Sequence, residues 1–175
     1  MIWVLGEHRG GALAPVTYEA LGAGRQLSDS LNVDLSFILL GQDLEGLTGG
    51  ALRKADRVYL LEHRLLAHYT NDGYRKALLR FLKNKRLFAF IIPGTSTGRD
   101  MAPFLAGSLG IGCVTNASGL EVKNDTVYVR RPLYGGKIIE TLSLRKSAII
   151  SIMPRAFKEA QDKEGEGELI KAEAD

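Results

Sequence analysis

The sequence predicts an α/β protein of three layers, in which helices cover both faces of a mostly parallel β-sheet. Over the first 112 residues, short apolar runs alternate with helical patterns, and the connections between them are short. This order is typical of repeated β-α units, whose strands lie parallel in a buried sheet. After Gly112 the pattern changes to β-rich runs separated by turns, which predicts an added antiparallel or mixed region in the last third.

Four apolar runs are predicted to be neighbouring parallel strands. They are short and rich in branched and aromatic residues, as expected for strands that are buried on both faces. They lie at residues 2–5, 34–40, 57–61 and 87–92.

Helical patterns lie between these runs. The first helix is expected to begin near Pro15, because proline is well suited to a first helical turn. Its apolar stripe contains Val16, Ala20, Gly24, Leu27 and Leu31. Residues 44–54 predict only a weak or short helix, since three glycines lower the helix propensity there.

A stronger helix is predicted after Thr70, which has the side chain of a good N-cap. The residues that give this helix its apolar face are Tyr74, Ala77, Leu78, Phe81 and Leu82. A further helix is expected to follow the small-residue loop after residue 92.

The last third contains a predicted β-hairpin and a charged end. Asn124 and Asp125 separate two alternating segments, which is a hairpin signal. Residues 138–144 and 148–152 add two more β-rich runs. From Lys158 onward few residues are apolar, too few to offset the entropy lost on ordering. We therefore expect one domain over residues 1–153 and a charged linker or tail over 154–175, mobile or held only by another chain.

Composition excludes several functional classes. The chain has 175 residues, of which 45% are hydrophobic and 25% charged, as expected for one globular domain. It has no apolar run near the roughly 18 residues of a membrane helix and no signal-peptide pattern, so we expect no membrane insertion and a cytoplasmic location. Its single cysteine, Cys113, excludes an internal disulfide and lacks the surroundings of a nucleophile.

Charge and histidine patterns exclude further classes. The formal net charge is +3, but basic residues are scattered and do not alternate with aromatic ones, so we expect no nucleic-acid binding. His8, His63 and His68 lack the partner spacing of a metal site. No serine elbow or catalytic base is evident, and we expect no catalytic residues.

The candidate site is the loop between the fourth apolar run and the next helix. Glycines, hydroxyls and one arginine at a helix N-terminus can hold an anion, a cofactor or a partner segment. The residues of this loop are Gly94, Thr95, Ser96, Thr97, Gly98, Arg99 and Asp100. Ordinary helix capping explains the same residues equally well. Neither the dinucleotide fingerprint nor the P-loop motif is present.

A second polar segment is expected beside this loop. Residues 7–11 follow the first predicted strand, and the carboxyl ends of parallel strands meet at one edge of a sheet. Residues 7–11 and 94–99 should therefore lie close together, as a polar rim for a nucleotide or partner or as two solvated loops.

An ordered set of motifs resembles the N-terminal domain of the electron transfer flavoprotein alpha subunit over residues 2–157. The motifs are V-L-G-E-H-R-G-G, A-P-V-T-Y-E-A-L-G-A-G-R-Q-L, A-D-R-V-Y-L, H-Y-T-N-D-G-Y, P-G-T-S-T-G-R-D-M-A-P-F-L-A-G-S-L-G, S-G-L-E-V, R-R-P-L-Y-G-G-K and M-P-R-A-F. The resemblance implies a fold of the adenine-nucleotide alpha-hydrolase-like type and a beta-subunit partner of similar fold.

The resemblance also implies where the cofactors lie. The family holds FAD mainly in a C-terminal domain that begins after a linker, where this sequence stops, so FAD is expected in the assembled complex and not on this chain alone. The AMP site of the family belongs to the beta subunit.

Two functions follow as expectations. The first is a non-catalytic alpha-subunit-like module, an electron-carrier component that docks a beta subunit and an FAD-binding alpha C-terminal domain. The alternative is a stand-alone adenine-nucleotide-binding regulatory domain that uses residues 94–99.

Overall fold

The computed structural model describes residues 1–173, and its centre is a parallel β-sheet. The strands are β1 (Ile2–Leu5), β2 (His8–Arg9), β3 (Ala12–Leu13), β4 (Leu35–Gly41), β5 (Arg57–Glu62), β6 (Ala89–Pro93), β7 (Gly112–Ala117), β8 (Gly119–Lys123), β9 (Thr126–Leu133), β10 (Ile138–Leu144), β11 (Ala148–Ile152) and β12 (Glu168–Glu173). The helices are α1 (Pro15–Leu31), α2 (Gly49–Leu52), α3 (Asn71–Leu82) and α4 (Ser96–Leu109), with 3-10 turns at Glu45–Leu47, Arg64–Leu66 and Tyr134–Gly136.

The central sheet has the strand order β12-β5-β4-β1-β6-β11-β7 over the described residues, and every pairing in it is parallel. The predicted fold class is confirmed. The four apolar runs of the first part are β1, β4, β5 and β6, which are neighbours in the sheet as predicted. Since all of these strands run the same way, their carboxyl ends lie at one edge of the sheet.

Two hydrophobic layers cover the sheet. Alternate residues of β1 point to opposite faces, so Ile2 and Val4 belong to one layer and Trp3 and Leu5 to the other. The first layer packs against α1 and the β8–β9 hairpin, and the second packs against α3 and α4. All four side chains are essentially unexposed, so β1 is buried on both faces.

An aromatic cluster lies in the second layer. The ring of Trp3 is 5.2 Å from that of Tyr59 and 5.5 Å from that of Phe81, and Lys85 Nζ lies 5.2 Å from the Phe81 ring. The Trp3–Phe81 contact is edge-to-face and the Trp3–Tyr59 contact is tilted, and such ring contacts add to the stabilisation that comes from burying the rings. The cluster ties β1, β5 and α3 together.

Local signals set the helix boundaries as predicted. Helix α1 has Pro15 in its first turn and ends at Leu31, and the next residue, Asn32, is a left-handed C-cap with a φ of 50°. The Thr70 hydroxyl accepts a bond of 3.3 Å from the Gly73 backbone N–H and caps α3. Residues 45–52 form only a 3-10 turn and one short helix. No helix in residues 1–173 is both long and apolar enough to cross a membrane.

The last third is mixed, as predicted. Strands β8, β9 and β10 form a separate antiparallel sheet, whose first hairpin turns at Asn124 and Asp125 with φ values of 48° and 58°. Two left-handed residues in a two-residue loop match the twist of a hairpin. Strands β7 and β11, in contrast, join the parallel central sheet.

The end of the chain differs from the expectation of an unstructured tail. Strand β12 pairs in parallel with β5 from Glu168↔Arg57 to Glu173↔Glu62. Its alternate side chains Ile170 and Ala172 pack against the second hydrophobic layer. The backbone hydrogen bonds to β5 and the packing of these two side chains stabilise the strand, although the segment as a whole has few apolar residues. The division into a domain of residues 1–153 and a linker or tail of residues 154–175 stays a prediction. The second part contains strand β12.

We expect the amide protons at the start of β12 to exchange slowly with solvent. The Gly167 N–H donates to Leu52 O at 2.7 Å and the Glu168 N–H to Asp56 O at 2.9 Å, so exchange requires this edge to open. Hydrogen exchange followed by NMR measures this directly. The exposed turn at Asn124 and Asp125 is the internal reference, and equal rates in the two places would contradict the pairing.

Candidate functional site

The candidate site lies at the sheet edge formed by the carboxyl ends of β1, β4 and β6. Glu7 and His8 follow β1, and Thr95 follows β6 after Gly94. The Gly6 N–H donates to Ile38 O at 2.8 Å, which holds the start of the first loop against β4. The prediction that residues 7–11 lie beside the loop after β6 is confirmed by a direct bond between Glu7 and Thr95.

The hydroxyl of Thr95 connects two segments and starts a helix. Its Oγ1 accepts from the Gly98 backbone N–H at 3.1 Å, which is the N-cap bond of α4. The same hydroxyl donates to Glu7 Oε1 at 2.6 Å. Burial raises the pKa of the Glu7 carboxyl, and the Thr95 bond offsets part of that rise. Helix capping and the carboxylate contact thus depend on one side chain.

The two glycines of the loop have packing roles. A Cβ on Gly98 would overlap the carbonyl oxygen of Pro93, and a Cβ on Gly94 would overlap that of Ile152. Both glycines let the start of α4 approach neighbouring backbone closely. Their close contacts are with protein backbone, so these positions leave no room for a phosphate on that side.

A small cavity of about 120 Å³ opens at this edge, and we call it the edge cavity. Residues from five elements, β1, β2, β4, α3 and α4, and from the loops beside them meet around it. It is lined by Leu5, Gly6, Glu7, His8, Leu40, Ala67, Tyr69, Tyr74 and Thr97.

Hydrogen bonds fix the polar lining of the edge cavity. His8 donates from Nε2 to Leu40 O at 3.0 Å, which places a proton on that nitrogen. The Tyr74 hydroxyl lies 3.1 Å from Leu40 O and 3.3 Å from Leu66 O. Burial raises the pKa of Tyr74, so this hydroxyl stays protonated and donates. Two side chains therefore donate to the same backbone carbonyl.

Asp100, from the predicted loop, is bound by the segment before α3. Its carboxylate accepts from the Tyr69 hydroxyl at 2.8 Å, and its carbonyl oxygen accepts from Asn71 Nδ2 at 3.3 Å. The Tyr69 bond lowers the pKa of the Asp100 carboxyl, with Asn71 adding to the effect. Asp100 thus joins α4 to the start of α3.

The other predicted site residues are distributed over the first turn of α4. Ser96 and Arg99 are exposed, and Thr97 is half-buried at the edge cavity. Within residues 1–173, the Arg99 guanidinium makes no hydrogen bond or ion pair. The loop therefore has an internal part, formed by Gly94, Thr95 and Gly98, and an outward part formed by Ser96 and Arg99.

Sequence reasoning missed the participation of Tyr69 and Tyr74 in this site. Tyr69 precedes the N-cap of α3, and Tyr74 was assigned only to the apolar face of that helix. A useful signal was present, because a tyrosine on a buried helix face needs a partner for its hydroxyl. Here the partners are carbonyl oxygens at the ends of β4 and of the 3-10 turn Arg64–Leu66.

The edge cavity does not fit a flavin or a nucleotide. Sites for whole small molecules have volumes of about 300–1000 Å³. A second, open groove of about 720 Å³ runs between α1, β8 and residues 156–163, and most of the residues that line it are polar or charged, including Arg25, Arg130 and Lys158. An isoalloxazine ring requires a largely apolar pocket, so we assign no residue of this chain to FAD.

Metal and thiol chemistry have little support among residues 1–173. That part of the chain contains no group of three or more His, Cys, Asp or Glu side chains placed to hold a metal ion. Burial raises the pKa of the Cys113 thiol, which keeps it in the less reactive protonated form.

Comparison with known proteins identifies the family. The electron transfer flavoprotein domain family matches residues 2–175. The chain belongs to this family. The resemblance predicted from the motifs is thereby confirmed, and it extends to the end of the chain.

Curated relatives of this electron transfer flavoprotein domain are alpha subunits and FixB proteins. The alpha subunit of Thermoanaerobacterium thermosaccharolyticum is 32% identical over 99% of this chain and 54% of its own length. The alpha subunit of Clostridium acetobutylicum is 32% identical over 90% of this chain and 48% of its own, and the FixB protein of Clostridium saccharobutylicum is 31% identical over the same shares. The chain thus spans about half the length of these relatives.

Two glycines of α4 give a matched test of the packing. Gly98→Ala should lower the free energy of unfolding by about 1–3 kcal/mol, because the added methyl meets the Pro93 carbonyl. Gly107→Ala, in the same helix, should raise it by about 0.5–1 kcal/mol, since nothing lies within 4 Å of an added Cβ. Urea denaturation measures both values. Similar effects at the two positions would contradict the close approach of α4 to β6.

Glu7→Gln should make stability less sensitive to pH. Burial raises the pKa of Glu7 in the folded protein, so the folded state holds this proton more tightly than the unfolded chain does. This contribution is complete at low pH and is lost as the pH rises through the folded pKa. The variant should therefore gain stability relative to the natural protein as the pH rises from about 4, the ordinary pKa of a glutamate, through the raised pKa of folded Glu7. Urea denaturation across this range checks the sign, and a constant difference would contradict it.

Proposed function

We propose that this chain is a non-catalytic, alpha-subunit-like module of an electron transfer flavoprotein. The observation that carries the proposal is the family match over residues 2–175, together with relatives named as alpha subunits and FixB. In this function the chain docks a beta subunit and an FAD-binding alpha C-terminal domain as an electron-carrier component. The cytoplasmic location expected from the sequence stays a prediction.

The outward part of the α4 loop is the proposed docking contact. Arg99 is exposed and has no partner among residues 1–173, whereas Gly94, Thr95 and Gly98 are used inside the fold. An exposed arginine on a rigid helix start can form a forked bond with a carboxylate of a partner. The internal residues of the loop then hold Arg99 in place.

In the proposed complex, FAD is held by the other components. The edge cavity is too small for a flavin, and most of the residues that line the open groove beside α1 are polar or charged. The same geometry weighs against the alternative of a stand-alone adenine-nucleotide regulator. A Glu7 carboxylate faces this edge, and it would repel nucleotide phosphates.

Docking is tested with a charge reversal. The natural chain should bind the beta subunit and the FAD-binding domain of the same organism in biolayer interferometry. Arg99→Glu should weaken binding at least about tenfold, because like charges across an interface cost a few kcal/mol. Arg145→Glu is the matched control, since Arg145 is an exposed residue that precedes β11 at the opposite sheet edge, and its binding should not change.

Three results would contradict the proposal. They are no binding by the natural chain, equal binding by the Arg99→Glu variant, and stoichiometric flavin in the purified single chain. Calorimetric titration with AMP and ATP addresses the alternative, which requires measurable heat at millimolar nucleotide.

A further inference from the structure

A carboxylate without a cationic partner lies at the edge cavity. Glu7 is half-buried, and among residues 1–173 no Lys, Arg or His side chain is within ion-pair distance of it. One of its oxygens accepts the Thr95 hydroxyl at 2.6 Å, and no donor within the same residues binds the other. An opposite charge beside a half-buried carboxylate would offset the part of its hydration that burial removes.

The start of α4 offsets only part of this charge. Thr95 connects Glu7 to the helix N-terminus, whose dipole is equivalent to about half a positive charge. The first capped N–H, that of Gly98, is already used by the Thr95 hydroxyl. The Thr95 bond is thus the single hydrogen bond that the Glu7 carboxylate receives from residues 1–173.

The side-chain donors around the cavity are largely occupied. His8 Nε2 and the Tyr74 hydroxyl both donate to Leu40 O, and the Tyr69 hydroxyl donates to Asp100. A cation that carries several N–H groups would find a free carboxylate oxygen of Glu7 here.

Aromatic side chains complete the surroundings of a cation. Tyr69 and Tyr74 both line the cavity, and the centroids of their rings lie 5.1 Å apart at an angle of 71°. Aromatic rings attract ammonium and guanidinium groups by about 0.5–2 kcal/mol when water is partly excluded. Their hydrogen bonds to Asp100 and to backbone carbonyls fix the positions of both rings.

We propose that the edge cavity binds a primary ammonium or guanidinium group, with the Glu7 carboxylate as its counter-ion and Tyr69 and Tyr74 as its walls. The volume of about 120 Å³ suits the charged end of a side chain or a small amine. A lysine or arginine of a partner protein and a free amine share this chemistry. The inference does not depend on the proposed docking function, because it concerns the isolated chain.

The test is an NMR titration of the full chain with n-butylammonium and methylguanidinium, with n-butanol as the neutral control. We expect saturable shifts at Glu7, Tyr69 and Tyr74 with both cations and none with the alcohol. Shifts that do not saturate, or that the alcohol reproduces, would overturn the proposal.

Variants identify the counter-ion. Glu7→Gln keeps an oxygen for the Thr95 hydroxyl but loses the charge, and it should weaken cation binding at least tenfold. Asp43→Asn removes the same charge from an exposed residue after β4, outside the cavity lining, and should change the affinity less than twofold. Equal losses in the two variants would indicate general attraction to an acidic surface and would overturn the assignment to Glu7. Tyr69→Leu should also weaken binding, and full retention would overturn the role of that ring.

A competition experiment between n-butylammonium and the beta subunit for the edge cavity identifies the source of the cation. Displacement of n-butylammonium by the beta subunit assigns the natural cation to a side chain of that partner, and simultaneous binding assigns it to a free amine. Either result supports the cavity as a cation site. If the chain binds no partner at all, the proposed docking function fails while the titration of the isolated chain still decides this inference.

Discussion

The burial of β1 on both faces is the constraint on which the rest of the fold depends. A strand whose side chains all point into apolar layers must have a covering layer on each face and a hydrogen-bonded neighbour along each side. Here α1 and the β8–β9 hairpin cover one face, α3 and α4 cover the other, and β4 and β6 pair with its edges. Because these pairings are parallel, Glu7 and Thr95, which are 88 residues apart, meet at one sheet edge.

The elements that the sequence predicts well are those with strong local signals. A few neighbouring residues are enough to predict each of these elements. They are the apolar runs, the Thr70 cap, the proline in α1 and the Asn124-Asp125 turn, and all are present in the structure. The approach of residues 7–11 to the α4 loop also followed from parallel topology alone. The family motifs predicted the architecture of the whole domain.

The parts that escaped prediction depend on contacts between distant residues. Composition made residues 158–175 look too polar to order, but β12 needs only alternate side chains because its backbone completes the exposed edge of β5. The contact of the predicted loop with Glu7 was also not evident from the sequence. Glycines, hydroxyls and Arg99 suggested an anion, whereas folding turns Gly94 and Gly98 toward backbone carbonyls and brings Glu7 to the Thr95 hydroxyl.

The aromatic cluster around Trp3 gives the molecule an internal optical reporter. Trp3 is the single tryptophan of the chain, it has no exposed surface, and its Nε1 donates to Arg86 O at 3.1 Å. Its emission therefore senses the contact of β1 with β5 and α3. The antiparallel sheet packs on the other face, so loosening of that sheet alone would leave the fluorescence nearly unchanged while far-ultraviolet dichroism would change.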